Sequence, residues 1–211
     1  KIKVSDGAGG NAEQIIEVTV NPVNDAPVVP ETIEVSTNED TELIFTFEGT
    51  DVDGDALNYT LVTQTDPLSG SIVNNFDGTA IFTPTAEYNG DAIFTYKAND
   101  GFLDSVEPPF TTVTITVTPE NDLPVLDFLD NFSFNEDESI TITPTAFDAD
   151  SDDLTYSCNV GANLICTPDG DNLIITAPLN YNGIESITVY VNDGNGGEDN
   201  QIVEVTVLPV N

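Results

Sequence analysis

Apolar and polar residues alternate along most of this chain. In "TELIFTFE" (41–48), Leu43, Phe45 and Phe47 fall on one side, with Glu42, Thr46 and Glu48 on the other. In "TTVTITVT" (111–118), Val113, Ile115 and Val117 alternate with threonines, and in "IVEVTV" (202–207) Val203, Val205 and Val207 alternate with Glu204 and Thr206. A period of two places every second side chain on the same face of an extended chain, so each segment reads as a strand with one buried face. Thr, Val, Ile and Phe fill these segments, as a half-buried pleated surface prefers. Asn-Gly, Asp-Gly and Pro cluster between them as turn formers. No stretch carries a helical stripe.

The strands come in copies. "EVTVNPVND" (17–25) returns as "TITVTPEND" (114–122) and "EVTVLPVN" (204–211). "NED" stands at 38–40 and 135–137, and "EYNG" (87–90) returns as "NYNG" (180–183). "VSDG" (4–7) returns in "KANDG" (97–101) and "VNDG" (191–194). The period is roughly 95 residues, which marks tandem repeats of a whole domain. We therefore expect the C-terminal strands of one repeat at 1–23, a full repeat at 24–120 and another at 121–211. About seven short strands per repeat predict an all-β chain of tandem immunoglobulin-like sandwiches.

Charge narrows the function. Three Lys and Arg face thirty-eight Asp and Glu, a formal net charge of −35 among 211 residues. Such a surface repels nucleic acid and anionic membranes. It also repels itself, so either the charge serves solubility or cations complete the fold. There is no His, Trp or Met. The commonest acid–base group and transition-metal ligand is thus missing. No apolar run is long enough to span a membrane. With no signal peptide at Lys1, we expect a segment of a longer polypeptide.

Cys158 and Cys166 lie in "SCNVGANLIC", read as two short strands around a Gly/Asn loop. That pattern predicts a cross-strand disulfide within a hairpin; the alternative is two buried thiols. Elsewhere the acidic residues fall into a pattern. "GTDVDGDALNY" (49–59) holds Asp51, Asp53 and Asp55 at alternate positions, and "AFDADSDDLTY" (146–156) holds Asp148, Asp150, Asp152 and Asp153. On extended chain, D-x-D presents two carboxylates on one side. Calcium takes six to eight hard oxygens, so Asp51 with Asp53, and Asp148 with Asp150, are candidate ligand pairs. An EF-hand loop is excluded, because its sixth position needs Gly and its twelfth Glu, whereas counting from Asp51 gives Ala56 and Val62. Asp55, Asp152 and Asp153 read first as solvated turn residues, with further ligation as the alternative.

Taken together, "VNDAP" (23–27), "ENDLP" (120–124), the Glu of "NED", the D-x-D pairs and the late "ANDG" resemble cadherin repeats. More closely, they resemble the cadherin-like tandem repeats of large bacterial surface and secreted adhesins. The resemblance covers essentially the whole chain and implies Ca2+ at the junctions between domains. It assigns the basal glutamate to Glu39 and Glu136 and the D-x-D pairs to Asp51, Asp53, Asp148 and Asp150. The late aspartate becomes Asp100 and Asp193, with Asp6 in the partial copy. The linker residues become Asn24, Asp25, Asn121 and Asp122. The family's Asp-Arg-Glu motif is poorly matched, Glu87 being its relic in the first repeat and Asn180 standing nearby in the second. At the central junction this gathers Glu39, Glu87, Asn121, Asp122, Asp148, Asp150 and Asp193.

The expected function is that of a calcium-binding, calcium-rigidified extension segment of an extracellular adhesin or matrix protein. Its partners would be neighbouring repeats and, head to tail, other copies. A carbohydrate- or partner-binding module, or a subunit of an extracellular filament or surface layer, are the alternatives. Paired carboxylates also serve glycosidases. Here they recur at turn positions with the period of the repeat, which argues against an enzyme. The strands expected over "KIKVSDG" and "QIIEVTV" lack sandwich partners in this chain. They are expected to be disordered, packed on a neighbour, or completed by another chain.

Overall fold

The computed structural model describes all 211 residues and contains only strands, turns and loops. It has no helix long and apolar enough to cross a membrane. A hairpin comes first, of β1 (Ile2–Ser5) and β2 (Asn11–Gln14). Seven strands follow: β3 (Thr32–Asn38), β4 (Leu43–Thr46), β5 (Asn58–Thr63), β6 (Gly70–Asn74), β7 (Thr79–Pro84), β8 (Gly90–Asn99) and β9 (Thr111–Thr118). Nine more complete the chain: β10 (Val125–Leu126), β11 (Phe132–Asn135), β12 (Ser139–Ile142), β13 (Ala146–Phe147), β14 (Thr155–Asn159), β15 (Ile165–Asp169), β16 (Asn172–Thr176), β17 (Gly183–Asn192) and β18 (Glu198–Leu208).

These strands build two immunoglobulin-like sandwiches in tandem. The first packs a four-stranded sheet, β3-β9-β8-β5, on a three-stranded one, β4-β7-β6. The second repeats this as β11-β18-β17-β14 on β12-β16-β15. In each, the first strand of the larger sheet runs parallel to the last, Thr32 opposite Thr112 and Phe132 opposite Val205. β10 and β13 add a small ladder to the second sandwich, where the first has only a bridge between Val28 and Thr50.

Each sandwich has its own core, and the two differ in chemistry. Phe45, Phe47, Phe82, Phe94 and Tyr96 dominate the first. Phe45 meets Phe47 and Phe94 edge to face, the latter at 5.4 Å and 89°, an arrangement that aligns ring edge with ring face. The buried Tyr96 hydroxyl donates to Glu48 O at 2.9 Å and accepts from Glu48 N at 3.1 Å. The second core is mainly aliphatic, with Leu173, Ile175, Ile187, Val189, Val203 and Val205 around the one buried ring of Phe134. The alternation read in the sequence holds, since Val113, Ile115, Val117, Val203, Val205 and Val207 are all buried.

Two expectations are corrected. "QIIEVTV" forms a strand only as far as Gln14. The hairpin register pairs Ile2 with Gln14, and residues 15–20 follow it without strand pairing. The hairpin is a separate two-stranded sheet, and Ile16, Val18 and Val20 are 47%, 77% and 87% exposed. The disulfide between Cys158 and Cys166 is present, with Cα atoms 6.2 Å apart, but it does not close a hairpin. β14 belongs to the four-stranded sheet and β15 to the three-stranded one. The bond therefore ties the two sheets together at the sandwich edge.

Candidate functional site

The linker 120–122 is held alternately by the two sandwiches. Glu120 N donates to Glu39 Oε1 of the first at 2.8 Å. Asn121 Nδ2 donates to Asp193 Oδ2 of the second at 2.8 Å. Asp122 N donates to Asp150 Oδ2 of the second at 2.7 Å. The Asp122 carboxylate turns back to the first, where Asp40, Glu87 and Asp122 bring oxygens within 4.8 Å of one another. Three consecutive residues thus fasten both domains.

The same pattern stands at the head of the first sandwich. Asn24 Nδ2 donates to Asp100 Oδ2 at 2.8 Å, and Asp25 N to Asp53 Oδ2 at 2.8 Å. It stands again at the tail of the second, where Val210 N donates to Glu136 Oε1 at 2.8 Å. The second aspartate of each D-x-D and the two basal glutamates therefore accept from the linker backbone. The late aspartates Asp100 and Asp193 accept from the linker asparagines.

The first aspartate of each D-x-D is different. Asp51 Oδ1 accepts from Asp53 N at 2.9 Å, and Asp148 Oδ1 from Asp152 N at 3.1 Å. Their other oxygens, Asp51 Oδ2 and Asp148 Oδ2, are the two buried side-chain polar atoms in the chain with no hydrogen-bond partner. A buried carboxylate oxygen without a partner costs the full desolvation of a charged acceptor. Both sit among further carboxylates: Asp51 with Asp53 and Asp55, and Asp148 with Asp152 and Asp193.

No protein cation offsets these clusters. Lys1 and Lys3 pair with Glu13, and Lys97 pairs with Asp104. Desolvation, reinforced by the carboxylates of Asp122, Asp40 and Glu39, raises the pKa of Glu87. Asp193 moves the other way, held low by the Asn121 amide and the backbone N–H groups of residues 195–197. Asp100 is likewise lowered, by Leu103 N, Asn24 and Phe102 N. The backbone is strained in the same place. Asp40 and Glu87 have φ of +53° and +59°, and their counterparts Asp137 and Asn180 have +63° and +58°. Left-handed backbone is costly for a glutamate and persists where surroundings enforce it.

The seven residues expected to converge at the central junction are therefore divided. Glu87 and Asp122 lie in one triad, Asp148 and Asp193 in another, while Glu39, Asn121 and Asp150 hold the linker. Asp40 and Asp152 complete the triads. Asp40 is the last residue of the repeated "NED", in which the family resemblance assigns a ligand only to the glutamate before it. The donor set suits calcium: carboxylate and amide oxygens are hard ligands, no imidazole exists, and both sulfurs are bonded to each other.

Comparison with known proteins agrees with this layout. Residues 23–118 match the family model described as a cadherin-like domain, and residues 121–206 match that of a bacterial Ig domain. Over 149 residues the chain is 29% identical to chitinase A of Pseudoalteromonas piscicida, which is 70% of this chain and 17% of that protein. Among solved structures, human protocadherin-24 EC1-2 superposes with a TM-score of 0.54 at 14% identity, over 88% of this chain and 100% of that one. Protocadherin gamma B2 extracellular cadherin domains 3–6 give 0.52 at 15%, over 86% and 47%. At these identities the structural likeness is one of fold. Domains of both matched kinds are usually extracellular and typically non-catalytic.

Proposed function

We propose that this chain, whose residues 23–118 match a cadherin-like domain and 121–206 a bacterial Ig domain, is a non-catalytic, calcium-rigidified extension segment of an extracellular adhesin or matrix protein. The observation that carries the reading is the pair Asp51 Oδ2 and Asp148 Oδ2. The same oxygen is buried and unpartnered in both units, each time among carboxylates that no lysine neutralises. A buried carboxylate recurring in that state implies an external cation.

In this reading Asp40, Glu87 and Asp122 hold calcium on the first-unit side of the linker, and Asp148 and Asp193 on the second. Asp51 and Asp53 do so at the head of the first unit. Bound calcium supplies the positive charge and hard coordination that the chain lacks. Glu39, Asn121 and Asp150 fix the linker backbone, so that the Asp122 carboxylate stays beside Glu87 rather than swinging into water. Without counter-charge, Asp40, Glu87 and Asp122 repel one another across the junction and the linker bends. With it, adjacent sandwiches form a stiff arm. Residues 24–120 and 121–211 are the repeats of that arm.

The similarity to chitinase A supports a second setting for the same device, a spacer within a carbohydrate-active enzyme. The physics of spacing is common to both settings.

Calcium titration by calorimetry, with small-angle scattering in calcium and in chelator, tests the proposal. We expect dissociation constants of roughly 10⁻⁴–10⁻³ M, as for extracellular modules, and a longer maximum dimension in calcium. Scattering curves that superimpose in the two buffers, or no calcium binding, would refute it.

A further inference from the structure

We propose that the cluster at the head of the second sandwich is a cation site whose third carboxylate is Asp152, and that Asn195 is the residue that positions it. The inference rests on the calcium reading above and makes the two D-x-D loops inequivalent.

Asp148 and Asp152 lie on the β13–β14 loop, and Asp193 on the β17–β18 turn. Their carboxylate oxygens lie within 4.8 Å of one another. Asp148 is only 7% exposed, and its Oδ2 has no partner. Asp152 is brought in by two contacts. Its N donates to Asp148 Oδ1 at 3.1 Å, where Ser151 turns the loop with φ of +63°. Its Oδ2 accepts from Asn195 Nδ2 at 2.6 Å. Asn195 N meanwhile donates to Asp193 Oδ1 at 2.7 Å. One residue therefore clamps both loops, its backbone on one aspartate and its side chain on another. Being neutral, it orients Asp152 without adding charge to the cluster.

The first sandwich lacks this clamp. The residue two after Asp100 is Phe102, which has no side-chain donor and is exposed to solvent. Its N–H binds Asp100 Oδ1 at 2.7 Å, as Asn195 N binds Asp193, but nothing from the β8–β9 loop reaches Asp55. The corresponding cluster is then Asp51, Asp53 and Asp55, all from one loop, without Asp100. The second site joins two loops around its orphaned oxygen and is the better preorganised. It should bind calcium more tightly, because less ordering remains to be done on binding.

The test is calcium calorimetry on the whole chain. The wild type should show at least two affinity classes. Asn195→Ala should weaken the tighter class by about tenfold, the usual size for a residue that orients a metal ligand. Asp152→Asn should weaken the same class at least as much, and Asp55→Asn should leave it unchanged. Both variants alter exposed or half-buried side chains, and melting in chelator at the wild-type temperature confirms that they fold. If Asn195→Ala and Asp152→Asn titrate like the wild type while Asp148→Asn loses the tighter class, Asp152 is a solvated bystander and the inference fails. If the wild type takes up no calcium, the underlying reading fails with it.

Discussion

The Asp193 carboxylate occupies the space that a side chain on Gly197 would need. A Cβ at Gly197 would overlap Asp193 Oδ2 and would stand 2.9 Å from Pro124 Cδ. Gly197 N, freed to approach, donates to Asp193 Oδ1 and Oδ2 at 2.9 and 3.0 Å. The backbone of a turn, the late aspartate and the start of the second sandwich are thus packed against one another. Gly10 stands in the same relation to Asp6 in the N-terminal hairpin. Gly197→Ala should displace the carboxylate from its donors and from Asn121. We expect a loss of roughly 1–3 kcal/mol, the cost of leaving buried donors unpaired, read as a lower melting temperature of the second sandwich. The gain in melting temperature on adding calcium should shrink as well.

Asp148→Asn should change sign with the buffer. In chelator it removes a buried charge that has no partner, and the protein should melt at the same temperature or higher. In calcium it removes a ligand. A folded-state ligand at a hundredfold excess over Kd contributes about 2.7 kcal/mol, and most of the share belonging to this site should disappear. Melting curves in the two buffers check it. A variant that is destabilised equally in both would mean that Asp148 serves packing alone.

Acid stability should depend on Glu185, away from the junction. Its carboxylate accepts from the Asn163 side chain and from the Tyr181 hydroxyl, which hold its pKa below the ordinary 4.5. A lowered folded pKa contributes stability that is complete above the unfolded value and fades as pH falls through the folded one. Glu185→Gln should therefore be less stable than wild type at neutral pH. The gap should close as pH drops below about 4.5. Parallel denaturant titrations at pH 7 and below pH 4 measure it, and a gap of constant size would overturn the assignment.

Reduction should act on one sandwich only. Cys158 and Cys166 are 8 residues apart in sequence, and closing a loop this short stabilises by roughly 2–3 kcal/mol in the chain-entropy model. Because the cores are separate clusters, Cys158→Ala with Cys166→Ala should lower the melting of the aliphatic core. The first core, followed by amide hydrogen exchange in β8 and β9, should be unmoved.

Much of this protein is written locally. Alternation at Leu43, Phe45 and Phe47, and at Val203, Val205 and Val207, determines strands and their buried faces, because side-chain direction in a strand repeats every two residues whatever surrounds it. The recurrence of "NED", D-x-D and Asn-Asp determines that acidic residues gather in phase with the fold. Which carboxylate does what was decided by tertiary structure. Asp150 and Asp148 are two residues apart in one motif, yet the first accepts a linker N–H and the second buries an unpartnered oxygen. That difference comes from the path of the linker over the loop, which no spacing encodes. Asp152 enters its cluster through Asn195, a residue on another strand's turn. The disulfide shows the same limit. The short spacing of Cys158 and Cys166 permits a bond, but only the assignment of β14 and β15 to opposite sheets makes it a tie across the sandwich. The alternation in Ile16, Val18 and Val20 is that of the buried Val203, Val205 and Val207. Burial, however, requires a facing sheet, and a sequence pattern cannot supply one.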